Sequence, residues 1–315
     1  MSVIVEPAQV IAETTAQTRR RGFLARLSKN RVAFVSGIFI VTLVLLSLIG
    51  PTVYQQLLPP EQQQWRDGIF QDYDAINANP SALHWLGADY LGRDNFARLL
   101  GAIRISLLVA GVVELINIGF GGILGLMAGY RGGMWDILFS RLADMLFAFP
   151  GLLLAILIAA VFGSVARDVF GSTGRLLLVA AALSLVSWPL MFRFVRGETL
   201  SVKKEDYVTA AQSIGARVTR ILFRHILPNV LWLVIVAATL DVASVIVNEA
   251  TLSLLGLGIE EPGTSLGLMI FKAKDKLQQY PLQIFFPALT ITLLVLAFSF
   301  LGDGLRDALD PTNQG

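Results

Sequence analysis

Four carboxylates stand inside long apolar runs of the sequence, namely Glu114, Asp144, Asp241 and Glu249. An ionised carboxylate in apolar surroundings must pair with a cation, accept hydrogen bonds or take up a proton. Such residues are functional candidates by default, and in a transporter Glu114 and Asp241 could bind protons or sodium. Arg141 precedes Asp144 by three residues, so the sequence predicts that the two pair on one helix face. A purely structural role in a helix bundle is the alternative for all four carboxylates.

Residues suited to covalent or metal catalysis are scarce. The chain has no cysteine and two histidines, His84 and His225, and it contains neither a G-x-S-x-G nor an H-E-x-x-H pattern. It also lacks the G-x-x-x-x-G-K-S/T loop that holds nucleotide phosphates. We therefore expect no catalytic residue, no metal site and no cofactor in this chain, and a membrane enzyme ranks last among the functions considered.

Six apolar runs could position the carboxylates, because a bilayer core needs roughly 20 residues per helix. They cover residues 32–49, 105–130, 137–162, 176–192, 230–255 and 284–301. Of all residues, 55% are hydrophobic and 15% are charged, against about 45–50% and about 25% in soluble domains. The composition excludes an ordinary soluble enzyme, and the runs predict an all-α membrane protein with six transmembrane helices.

The Lys and Arg distribution predicts how these helices are oriented. Basic residues concentrate in segments 1–31 and 193–229, and short cytoplasmic segments are those enriched in Lys and Arg. Both segments fall on one side of the membrane if all six spans are real. We therefore expect an N-terminal tail (1–31), the 193–229 connection and a C-terminal tail (302–315) in the cytoplasm. The net charge of +2 is small and does not indicate a nucleic-acid partner.

The first helix, residues 32–50, leads into a comparatively acidic outer loop at 51–104. Residues 51–83 are rich in Gln, Pro and Asp and predict a solvated connector with little regular structure. Residues 105–301 form the remaining five-helix core. Within the core, Gly125 and Gly129 are four residues apart and allow close helix packing, and Phe149-Pro150 is expected to kink the third span.

The 193–229 connection shows helical periodicity. Apolar residues recur at i, i+3, i+4 and i+7, at Tyr207, Ala210, Ala211 and Ile214. Gly215 follows where helices commonly end with positive φ. A second helical run starts near Val218, and Pro228 is expected to stop or redirect it. The pattern predicts two short amphipathic helices joined at Gly215, which either bind another protein or lie on the membrane surface.

This connection resembles the EAA loop of bacterial ABC-importer permeases, whose pattern is E-A-A-x3-G-x9-I-x-L-P. In the stretch YVTAAQSIGA and the ILP that follows it, the matching residues are Ala210, Ala211, Gly215, Leu227 and Pro228. Thr209 replaces the glutamate and His225 replaces the isoleucine.

Other blocks are similar to the C-type permease subunit of the dipeptide/oligopeptide branch. HWLGAD at 84–89 and LGRD at 91–94 match its outer-loop signature, carried by Gly87, Asp89, Gly92, Arg93 and Asp94. Asp136, Arg141, Asp144 and Phe149-Pro150 match its third-span pattern. Residues 249–258 and 302–311 match blocks near its end. The resemblance covers about residues 20–312.

The resemblance implies the type I ABC-importer permease fold and a set of partners. These are a homologous second permease, two cytoplasmic ATPases that bind ATP and Mg, and an extracytoplasmic binding protein that delivers a di- or oligopeptide. The membrane would be the bacterial inner membrane. The coupling residues would be Tyr207, Ala210, Ala211, Ile214, Gly215, Ala216, Leu227 and Pro228, and Glu114, Asp144, Asp241 and Glu249 would line the pathway or hold the bundle.

Two alternatives stay open on the sequence. An importer of the same branch could carry nickel, glutathione or sugars instead of peptides. An ion-gradient-driven secondary transporter could use Glu114 and Asp241 to bind protons or sodium, although the sequence shows no internal repeat of the kind common in such transporters.

Overall fold

The spans of this chain are helices because a backbone in lipid can satisfy its polar groups only within its own segment. A computed structural model describes residues 30–309. Within these residues, six helical segments are long and apolar enough to cross a membrane, so the predicted number of spans is confirmed. Of the predicted tails, residues 1–29 of 1–31 and residues 310–315 of 302–315 lie outside the described residues, and Arg31 is the first residue of the first helix.

Eleven α-helices make up the described chain, and the longest connection between them covers residues 57–94. We number them α1 to α11: Arg31–Gln56, Asn95–Ile116, Ile123–Arg131, Gly133–Phe147, Gly151–Phe170, Gly174–Val202, Asp206–Ser213, Val218–Ile221, Leu227–Leu254, Leu266–Ala273 and Leu282–Leu309. A π-helical segment, Asn117–Gly122, joins α2 to α3, and a second, Leu222–Ile226, joins α8 to α9. The six spans are α1, α2–α3, α5, α6, α8–α9 and α11.

The predicted third span, 137–162, is wrong in its bounds. Gly132 and Gly133 have φ of 66° and 61° and end the second span, after which α4 forms a separate helix. Pro150 has extended backbone, with φ −60° and ψ 113°, and a residue before proline is disfavoured in helix. Phe149-Pro150 therefore ends one helix rather than kinking it, and the span begins as a new helix at Gly151.

The 193–229 connection is shorter than predicted. Residues 193–202 continue α6, and residues 218–229 already belong to the helix of the fifth span. Pro228 does not stop that helix, because it directly follows the π-helical segment Leu222–Ile226, where the regular i→i−4 bonding is already interrupted. Only residues 203–217 connect the two spans. In the same way, residues 302–309 are not a tail but the end of α11.

The predicted unstructured connector at 51–83 is ordered. It contains 3₁₀ turns at Pro60–Arg66 and Tyr73–Ala75. Arg66 is 3% exposed, and it donates to the carbonyl oxygens of Tyr54, Ala82 and Leu83 at 3.1, 2.7 and 2.9 Å. Its guanidinium also lies 4.2 Å from the centre of the Tyr54 ring. One buried cation therefore folds this segment back onto the end of α1.

Small residues bring the second and fourth spans into backbone contact. A Cβ on Gly121 would lie 2.6 Å from the Trp188 carbonyl oxygen, and one on Gly125 would lie 2.7 Å from that of Phe192. Gly129 faces Thr199 in the same way, with 2.8 Å to its Cβ. The close packing predicted for Gly125 and Gly129 is confirmed, and it joins α3 to the part of α6 that leads into 203–217.

We predict that Gly125→Ala destabilises the protein, because the new methyl group meets fixed backbone of α6. Overpacking of this kind costs about 1–3 kcal/mol. The measurement is the thermal unfolding midpoint of the purified protein in detergent. Gly197→Ala is the matched control, since Gly197 is an exposed residue of α6 with no described atom within 4 Å of its added Cβ. An equal midpoint for the two variants would contradict the close packing.

Candidate functional site: a helical hairpin and the polar clusters behind it

The segment 203–217, which we call the hairpin, is closed by a defined helix end. The Ala216 N–H donates to the Ala211 carbonyl at 3.1 Å, and the Gly215 N–H donates to that of Gln212 at 3.0 Å. This pair of bonds is the Schellman motif, which needs positive φ at its glycine. Gly215 has φ of 73°, so the predicted helix end at Gly215 is confirmed.

The hairpin is held to the spans by its inner face. Val208 is fully buried and Ala211 is 6% exposed. Both belong to an apolar cluster with Val202 at the end of α6 and with Ile226 and Val230 at the start of the fifth span. The hairpin therefore rests on the two spans that it connects.

The outer face of the hairpin is apolar and exposed. Ile214 is 84% exposed and Tyr207 is 43% exposed, and Ala210 is exposed beside them. The predicted face of four residues is thus divided, because Ala211 faces inward. Val208 was not among the predicted residues, although its i, i+3 spacing to Ala211 was a signal that could have identified it. Ala216 and Leu227 are half-buried, and Pro228 belongs to α9.

Two ion pairs attach α4 to the part of α6 that leads into the hairpin. Arg196 bonds Asp136 through two nitrogens, of which Nη2 lies 2.8 Å from Oδ2. The Arg196 hydrogen bonds hold the pKa of the Asp136 carboxyl below its usual range. Asp144 accepts from Arg193 at 2.6 Å, so the predicted pair with Arg141 is wrong. Asp144 also lies in α4, whose 15 residues make it too short to be among the six helices that could cross a membrane.

The outer-loop signature forms a buried charge network. Asp89 Oδ1 accepts from the backbone N–H of Leu91 and Arg93, and its Oδ2 accepts from the Arg93 guanidinium at 2.8 Å. Arg93 is 4% exposed and also donates to Glu261 at 2.8 Å. The network therefore ties the connection between α1 and α2 to the segment between α9 and α10. Sequence reasoning did not single out Glu261, whose partners lie about 170 residues away in the chain.

The rest of the signature starts the second span. Asp94 caps α2 by accepting from the Ala97 N–H at 2.8 Å, and its other oxygen accepts from Tyr54 at 3.0 Å and lies 2.8 Å from His84 Nδ1. Gly87 and Gly92 have φ of 71° and 78°, which other residues rarely adopt. The five predicted signature residues are thus brought together.

Glu249 links helices by accepting hydrogen bonds. It is fully buried, and it accepts hydrogen bonds from Ser106 of α2 at 2.9 Å and from Ser253 at 2.8 Å. Ser253 is 3.3 Å from Ser265, which caps α10. Of the two roles predicted for Glu249, this geometry fits the structural one.

Glu114 and Asp241 meet at the centre of the bundle. Asn117, in the π-helical segment, places its Nδ2 3.4 Å from Glu114 Oε1 and 3.1 Å from Asp241 Oδ2. Ser187 of α6 donates to Asn117 Oδ1 at 3.0 Å. The second, fourth and fifth spans therefore share one polar cluster.

The fold and these sites define a class of protein, a polytopic α-helical membrane permease with a short helix, α7, in the connection between its fourth and fifth spans. A family model described as "binding-protein-dependent transport system inner membrane component" matches residues 121–314. A second, described as "N-terminal TM domain of oligopeptide transport permease C", matches residues 18–80. The chain belongs to this family of ABC-importer permeases, in its dipeptide/oligopeptide branch, and is a multi-pass inner membrane protein.

Curated relatives match along nearly the whole chain. A glutathione transport system permease protein, GsiD, of Pectobacterium atrosepticum is 39% identical over 302 residues, covering 96% of this chain and 94% of the relative. The GsiD of Escherichia coli O6:K15:H31 is 38% identical over 312 residues, covering 99% and 95%.

A solved structure shares the fold. An inward-facing MetNI methionine ABC transporter superposes with a TM-score of 0.54 at 18% identity, covering 68% of this chain and 97% of that chain. The predicted type I ABC-importer permease fold is confirmed. Together with the family, this sets aside the secondary-transporter alternative.

We predict that Glu261 stabilises the protein only while it is ionised. Burial opposes ionisation of Glu261, but hydrogen bonds from Arg93 and Tyr90 outweigh it and lower its pKa. Such a group stabilises the fold above its unfolded pKa, about 4.3 for Glu, and this contribution is lost as pH falls through the lower, folded pKa. Glu261→Gln should therefore lower the unfolding midpoint at pH 7, and the difference from wild type should shrink below about pH 4.

The measurement is the unfolding midpoint in detergent from pH 7 down to the acid limit of solubility. Glu61→Gln, at an exposed position of the outer loop, is the control and should show no such convergence. A constant difference between wild type and Glu261→Gln at every pH would contradict the assignment.

Proposed function

We propose that this chain forms half of the translocation pathway of an ATP-driven importer and that the hairpin binds a partner ATPase. The observation that carries this proposal is the division of α7 into two faces. Val208 and Ala211 attach it to the spans, while Ile214 remains 84% exposed. An apolar residue of this size at the tip of a hairpin fits a pocket on another protein, where anchors of this kind dominate affinity.

The proposed orientation places the hairpin and both chain ends in the cytoplasm. Basic residues lie at both ends of the hairpin, at Lys203, Lys204 and Arg217, and in the first turns of the fifth span, at Arg220 and Arg224, as expected of a segment at the cytoplasmic side. The start of α1 packs on the end of α11, where Gly304 leaves room for Ala33. The two ends of the described chain therefore lie on the same side.

ATP and Mg would be bound by the partner ATPases, since this sequence has no phosphate-binding loop. A homologous second permease would complete the pathway. A binding protein outside the membrane would dock on the surface held by the Asp89–Arg93–Glu261 network. The curated relatives named as glutathione permeases and the dipeptide/oligopeptide branch both support a cargo of peptides or of glutathione, which is itself a tripeptide.

We predict that Ile214→Asp separates ATPase binding from folding. The change puts a charge where an apolar anchor would enter the ATPase, and loss of such an anchor weakens binding by about tenfold or more. The complex should be purified by a tag on this chain, and the copurifying ATPase and its stimulation by loaded binding protein should be measured.

The matched control is Ile69→Asp, an isoleucine that is 61% exposed in the outer loop. It should retain the ATPase. Ala211→Trp is unsuitable as a test of the docking surface, because Ala211 is buried against the spans. Wild-type ATPase content and uptake in Ile214→Asp would refute the hairpin assignment, and the absence of any ATPase from the wild-type complex would refute the proposed function.

A further inference from the structure

The Glu114–Asp241 cluster is left with an unused hydrogen-bond acceptor. Glu114 is 6% exposed, and its Oε2 is buried with no hydrogen-bond partner among the residues that the structure describes. Asp241 is half-buried beside it. Two neighbouring carboxylates repel each other strongly in an apolar bundle, so this pair needs a proton or a positively charged group.

Asp241 begins a row of polar residues on the fifth span. Asp241, Ser244, Asn248 and Thr251 recur at helical spacing, and Ser244 is exposed. A polar row on a membrane helix is expected to face water or protein rather than lipid. If this chain forms half of a pathway, the row is the part of α9 that lines it, with the carboxylate pair at its end nearer the middle of the helix.

The chemistry of the cluster favours an ammonium group over a metal ion. Asn117 uses its amide N–H groups on both carboxylates, and its carbonyl oxygen accepts from Ser187. The remaining carboxyl oxygens of Glu114 and Asp241 lie within hydrogen-bonding reach of each other, so either one shared proton or one ammonium group would bridge them. Ca²⁺ requires about 6–8 oxygen ligands, whereas an ammonium group has three N–H donors to place.

We propose that Glu114 and Asp241 form a binding site in the pathway for the primary ammonium group of the cargo. This inference rests on the proposed function. Glu114 lies on the second span and Asp241 on the fifth, and Asn117 of the π-helical segment bridges them. A bound ammonium group would therefore contact two spans at once, and its affinity would depend on their relative position.

The test uses the full complex with its partner permease and ATPases in lipid nanodiscs. The chain has no cysteine, so Ser244→Cys introduces the only thiol of this subunit. A water-soluble maleimide should label it. Ile235→Cys is the matched control, because Ile235 is exposed on the same helix nine residues earlier, which is the opposite face at 3.6 residues per turn. It should resist labelling.

The ligand probe is S-methylglutathione, which carries a primary ammonium group and no thiol. It should slow labelling of Ser244→Cys, and its N-acetyl derivative, which lacks the ammonium group, should not. Asp241→Asn should weaken this protection by about 30-fold or more, the effect of removing one member of a buried charge pair. Asp241→Glu should retain it, and Asp303→Asn, an exposed carboxylate at the end of α11, should leave it unchanged.

Several results would overturn the proposal. These are equal protection by the N-acetyl compound, no protection in wild type, undiminished protection in Asp241→Asn, or protection by sodium chloride without the probe, which would indicate an inorganic cation site. If Asp241→Asn fails to assemble, the Asp241→Glu variant takes its place. Protection of Asp241→Glu by the probe but not by the N-acetyl derivative supports the proposal, and equal protection by both compounds overturns it. ATPase stimulation by loaded binding protein, measured on the same samples, reports separately on the proposed function.

Discussion

A polar group inside a bilayer must find its partner within the protein, and this constraint organises the whole chain. Each polar cluster joins helices that are distant in sequence. Glu249 joins the second span, the fifth span and α10 through three serines. Asn117 joins the second span to the fourth and fifth, and Arg196 joins the fourth span to α4. The spans therefore have specific relative positions that apolar packing in lipid would not define alone.

This arrangement connects the hairpin to the helix bundle through close packing. Its inner face shares one apolar cluster with the end of α6 and the start of the fifth span. Glycines of the second span then hold the backbone of α6 close to it. A partner that moves the hairpin would move α6 and α9 together, and the polar cluster of Asn117 joins those two helices to the second span.

The sequence predicted the features that have a strong local signal. Six apolar runs predicted six spans, Gly215 predicted a helix end, and Gly125 and Gly129 predicted close packing. Helix ends were predicted less well, since α6 continues past its apolar run and the fifth span begins at Val218, before its run, both in amphipathic sequence. The third span was misplaced because a run of apolar residues conceals the break that Pro150 imposes on Phe149.

Contacts between residues that are far apart in the chain could not be predicted from residue spacing in the sequence. Asp144 has Arg141 three residues away, yet it pairs with Arg193 on another helix. The interactions of Glu261 and Arg66 were not predicted, because their partners lie in distant parts of the chain or are backbone carbonyls. Ala211 and Ala210 are adjacent and identical in type, so only packing against α6 and α9 shows which of them faces inward.

The central claim is that the hairpin and its spans move as one body. It can be tested most directly by double electron–electron resonance spectroscopy. Spin labels at Ser213→Cys in the hairpin and Ser244→Cys in α9 use the absence of native cysteine in this chain. The distance between them should be measured in the assembled complex without nucleotide and with trapped ATP. The account predicts one unchanged distance distribution in both states, while a label on the partner permease shifts relative to Ser213→Cys. A nucleotide-dependent change in the distance within this chain would contradict it.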